Sequence, residues 1–69
     1  MASYKKEYWN KSKTKCVIIT RSKLSDGYNY YLMFLTKNAS GPMIVNERFK
    51  QKVSITSEKD AIQAAKKLL

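Results

Sequence analysis

An α+β fold is what the sequence predicts: a three- or four-stranded antiparallel sheet packed by one C-terminal helix, in the order βββ(β)α. Three observations carry this. Short β-branched and aromatic runs, "CVIITR" and "YNYYLMFLTK", are separated by turn residues. An Asp-Gly pair and a Gly-Pro pair fall between the runs. The last thirteen residues, "SEKDAIQAAKKLL", change to a helical period.

The elements follow in order. Residues 1–15 hold Lys5, Lys6, Lys11, Lys13 and Lys15 against one acid, Glu7, with Tyr4, Tyr8 and Trp9 among them. Polar density predicts a basic, aromatic-containing N-terminal arm, with a single domain over residues 16–69. Three aromatics in six residues are costly to solvate. Either Tyr8 and Trp9 fold back on the core, or they stack on bases while lysines hold phosphates.

Residues 16–21 form the first strand, and "SDG" at 25–27 turns a tight hairpin. Residues 28–37 are apolar on both alternations, as in a central strand covered on both faces. After the turn "NASGP", residues 43–55 read as a further strand, bent or broken into two near Gln51. Alternation there sets Val45, Glu47, Phe49, Gln51, Val53 and Ile55 on one face, and Arg48, Lys50 and Lys52 on the other. Ser57 caps the amide of Asp60, and Glu58 and Asp60 suit the positive helix start. Ala61, Ile62, Ala65, Leu68 and Leu69 form the buried stripe, leaving Ala64 off it.

With 69 residues and one cysteine, Cys16, the chain closes no internal disulfide. It has no histidine, so the usual Cys/His zinc sets and the commonest proton shuttle are lacking, and no cofactor is expected. Good packing, self-association into a homodimer, or a partner must supply the staples of so small a fold. No apolar run approaches the length of a membrane span, and "CVII" is too short for a signal peptide, so a cytoplasmic chain with a reduced, buried Cys16 is expected. The five acids are Glu7, Asp26, Glu47, Glu58 and Asp60; scattered in this way they do not organise hydrolysis, and no enzyme is expected.

Charge is the largest signal. Lys plus Arg number 14 against 5 acids, for a formal net charge of +9. A polyanion would relieve that self-repulsion, with nucleic acid ahead of an acidic protein face and of a membrane. Edge-strand lysines also block unwanted sheet pairing. That accounts for one or two of them less strainedly than for Arg48, Lys50 and Lys52 together with Lys59, Lys66 and Lys67 on the helix.

The C-terminal segment resembles the end of a double-stranded-RNA-binding domain, where three strands precede a helix opening with Ser, lysines and Ala. Ser57, Lys59, Ala61, Ala64 and Ala65 stand at matching places, while Glu58 and Asp60 depart from the pattern and the family's first helix is missing. Integrase arm-binding domains and single-strand-binding coactivators are similar in element order. All three resemblances imply nucleic-acid binding. The function expected is therefore non-catalytic binding of RNA, ahead of DNA, with little sequence specificity, through Lys5, Lys6, Tyr8, Trp9, Lys11, Lys13, Lys15, Arg48, Lys50, Lys52, Lys59, Lys66 and Lys67. Lysine-, asparagine- and tyrosine-rich composition in so short a chain also suggests a phage accessory protein. On that reading it is an inhibitor or antitoxin-like binder of a host protein or ribonucleoprotein.

Overall fold

A computed structural model describes residues 4–51 and 53–69. Four strands form one antiparallel sheet in the order β1-β2-β3-β4: β1 is Lys5–Trp9, β2 Lys15–Leu24, β3 Gly27–Lys37 and β4 Met43–Val45. One helix, α1 (Glu58–Leu68), follows and packs across β2 and β3. The α+β architecture read from the sequence is thus the one observed, with four strands rather than three.

The long β2–β3 hairpin is the frame. It pairs Lys15 with Thr36 through to Leu24 with Gly27 without a break, so Ser25 and Asp26 alone make the turn. Because the register has no bulge, alternate side chains stay on one face throughout. Val17 and Ile19 point to the helix with Tyr30, Leu32 and Phe34 beside them. Ala61 and Ala65 meet them, and all four of Val17, Ile19, Ala61 and Ala65 are 0% exposed. Alanine at both helix positions lets the helix backbone approach the sheet closely. Ile62, Leu68 and Leu69 pack around that contact, so the predicted stripe is the buried one. Ala64 also packs against the cluster, partly buried rather than outside it. Ser57 is the N-cap residue, but its side chain makes no capping hydrogen bond.

The N-terminal segment supplies a strand where an arm was expected. β1 runs along β2 with Lys5 opposite Thr20 and Trp9 opposite Cys16. Its connection to β2 is organised by Asn10. The Asn10 carboxamide oxygen accepts the N–H groups of Thr14 (2.9 Å) and Lys15 (3.0 Å), and its amide donates to the Thr14 hydroxyl at 2.9 Å. This arrangement holds Lys13 at φ 59°, a left-handed conformation that glycine would adopt at less cost.

The other difference lies after β4. Residues 46–51 form no strand, and among the described residues after them only Ile55 bridges back to Tyr30. Asn46 folds a local turn instead: its side chain accepts the Arg48 N–H at 3.0 Å and its carbonyl the Phe49 N–H at 3.2 Å. The edge of β3 is then served by a side chain. Gln51 accepts the Leu32 N–H (3.1 Å) and donates to the carbonyls of Tyr30 (3.1 Å) and Val53 (2.9 Å). A primary amide has the donor and acceptor of a peptide group, so it replaces one strand residue. Of the expected cationic row of Arg48, Lys50 and Lys52, Arg48 and Lys50 therefore lie outside any strand. Lys52 itself lies outside the described residues.

Candidate functional site

The structure separates the predicted contact residues onto several surfaces. Lys6 and Tyr8 lie on the helix side of β1. Tyr8 packs against the core, and the Lys6 ammonium sits 3.6 Å from the Glu58 carboxylate. Lys5 and Trp9 lie on the opposite face of the same strand. Lys11, Lys13 and Lys15 are exposed at the β1–β2 connection, with the Lys13 ammonium 5.6 Å from the centre of the Trp9 ring. Lys59 and Lys66 are exposed on the helix.

Arg48, Lys50 and Lys67 come together. They line one groove of about 630 Å³ between residues 48–51 with Val53 and the helix. Its floor is Leu32, Phe49, Ile55, Ala64 and Leu68, and none of the five acids lines it. Phe49 is anchored edge-on to Phe34, with ring centroids 5.8 Å apart. The groove is thus a built feature: the Asn46 turn raises Arg48, the Gln51 clamp holds the segment to β3, and the last helical turn brings Lys67 across. Glu47, which the alternation placed on an apolar face, is exposed in the turn and lies in a separate depression beside β4.

A tight polar cluster ties β1 to the helix start. The Tyr4 hydroxyl donates to the Glu58 carboxylate at 2.6 Å, and the Arg21 guanidinium lies 4.4 Å from the Tyr4 ring and 4.0 Å from the Tyr28 ring. Burial, then the hydrogen bond to Glu58, pushes the Tyr4 hydroxyl up to about 12. The same hydrogen bond, with Lys6 nearby, lowers the Glu58 carboxyl from its ordinary value. The helix start is therefore occupied by internal partners. The Cys16 thiol is free, buried and raised by burial and then by Glu7.

The open face of the sheet was missed by sequence reasoning. It carries Trp9, Ile18, Tyr31, Met33, Leu35 and Val45, and no helix covers it. Trp9 is 39%, Tyr31 45%, Met33 46% and Val45 51% exposed. β3 is central as expected but covered on one side. The clue was present in residues 28–37, which are apolar on both alternations while the chain has one helix to cover them. Among the described residues, no three of Asp, Glu, Cys and His gather as a metal site would need, and no helix is long and apolar enough to cross a membrane. No family model matches the chain, and comparisons with curated proteins and with solved structures likewise find no match.

Proposed function

We propose that the protein is a non-catalytic nucleic-acid-binding protein, engaging single-stranded RNA ahead of DNA at the helix-side groove. The observation that carries this is the meeting of Arg48, Lys50 and Lys67 around an apolar floor that no acid lines. Cations on a rim attract phosphates, and an apolar floor with an aromatic ring takes an unstacked base. Single strands present such bases without the cost of opening a duplex. Lysine and arginine on phosphates also imply little sequence discrimination. Lys59 and Lys66 on the same helix would extend the positive surface for a longer strand.

Binding should weaken with salt at a log–log slope of about −0.7 per phosphate contact on a single strand. Lys50→Gln/Lys67→Gln should flatten that slope by roughly one to two units with little change in melting temperature. Unchanged RNA and DNA affinity in this variant would remove the groove from the contact.

The same rim and floor favour a second reading, in which the groove takes an acidic protein segment presenting one apolar side chain, as an inhibitor of a host protein would require. Under that reading free RNA and DNA do not bind, and the double variant loses its protein partner.

A further inference from the structure

We infer that the open face of the sheet is the contact between two copies of this chain, packed sheet to sheet. Charge placement selects the occupant. Register places only Lys5, Glu7 and Lys37 as charged strand residues on that face, and Lys5 and Glu7 pair at 3.7 Å. With the Lys13 ammonium 5.6 Å from the Trp9 ring, three cations and one anion leave the face at about +2 in a chain of net charge +9. Most other cations lie on the helix side or in the loops: Lys6, Arg21, Arg48, Lys50, Lys59, Lys66 and Lys67. Two strongly basic chains repel, and this is the face on which they can meet with those charges pointing outward.

The chemistry of the face agrees. Its middle sets Ile18 and Met33 beside Glu7 in one row, and Leu35 and Val45 beside Trp9 and the buried Cys16 in the next. Two excess cations hold few phosphates, and beside the aromatic Trp9 and Tyr31 lie the aliphatic side chains of Ile18, Met33, Leu35 and Val45. They do interdigitate well with a second sheet about 10 Å away. Four strands at about 4.8 Å spacing and three rows of side chains make a face of about 400 to 500 Å² per copy. That size belongs to weak, reversible pairs. Such a pair leaves both helix-side grooves facing solvent on opposite sides, so the contact is independent of what the grooves hold.

The test is sedimentation equilibrium of the full chain over about 1 µM to 1 mM, beside fluorescence of Trp9, the only tryptophan. The mass should rise from 8.0 kDa toward about twice that value, with Trp9 emission moving to shorter wavelength in parallel. Added salt should strengthen the pair by screening the repulsion of the two chains. Met33→Lys should weaken association about a hundredfold with an unchanged circular dichroism spectrum. Val45→Lys, on the short edge strand, reads the same contact if Met33→Lys does not fold. A monomer over the whole range would overturn the inference, and so would a pair that persists in Val45→Lys or is abolished by Lys66→Glu on the outer side of the helix.

Discussion

The two faces of this sheet are built from the same strands and the same kinds of residue, yet they end in opposite states. One carries Val17, Ile19, Tyr30, Leu32 and Phe34 under the helix, sealed by Ala61 and Ala65. The other carries Ile18, Tyr31, Met33, Leu35 and Val45 with no described element above it, and on it only the small Cys16 is buried among the described residues. Hydrophobicity alone therefore does not place a residue in the core. Coverage does, and one helix of eleven residues covers one face. The teaching is that apolar residues in excess of what a chain's own elements can bury become contact surface.

The largest effect that sharpens this contrast comes from opposite sides of one strand pair. Ile19→Ala should cost about 2–5 kcal/mol and come close to unfolding so small a domain, because it opens a cavity in the sealed layer. Met33→Ala, from the open layer, should cost under about 1 kcal/mol in the monomer. Urea titrations at low protein concentration measure both. Similar losses would mean that the two faces are equally buried and would break the comparison.

A middle-sized effect concerns the connection that carries the chain from the sheet to its covering helix. Gln51→Leu keeps the bulk but strips the amide from Leu32 N–H and the Tyr30 carbonyl, and should cost about 1–3 kcal/mol. It should also loosen the groove, so amide exchange of Leu32 should accelerate while that of Ile19 changes only with global stability. Equal protection of Leu32 in both proteins would remove Gln51 from its role as a strand substitute.

The smallest effect is pH-dependent and belongs to the covered side. Tyr4 has its folded-state value raised, from 10.0 to about 12, so the folded protein holds that proton more tightly than the unfolded chain. Its contribution is fully present below about pH 10 and is lost as pH rises through 10 to 12. Glu58 is lowered, so its contribution is present above its ordinary value and is lost as pH falls through the folded one. Tyr4→Phe should lose the alkaline component and reduce the acid one, with a modest drop in melting temperature at neutral pH. Identical stability profiles for the two proteins from pH 3 to pH 11.5 would show that the Tyr4–Glu58 contact contributes nothing.

Legibility differed by element for physical reasons. β2, β3 and the helix stripe were readable because β-branched runs and an alanine-leucine period are local signals, and the two-residue turn at Ser25 and Asp26 announced itself. β1 was hidden. Its loop closes through Asn10 and a left-handed Lys13, with no glycine to mark it, and lysines beside Trp9 resemble an arm. The false strand at residues 46–51 had correct alternation but no neighbour to pair with, since Asn46 turns the chain and Gln51 supplies the hydrogen bonds from its side chain. Of the thirteen predicted contact residues, the groove gathers Arg48, Lys50 and Lys67, a grouping that spans a loop and a helix far apart in sequence.

By itself, then, the sequence determined what depends on near neighbours: the two long strands, their tight turn, the helix and the face it buries, and a strong positive charge. Only the tertiary structure decided which sheet face the helix takes, that the lysine-rich N-terminal segment pairs as an edge strand, and that three separated cations share one groove. The reason is the range of the forces. Backbone propensity and side-chain period act over a few residues and are written locally, whereas strand pairing and coverage are settled by competition among distant segments for one limited surface.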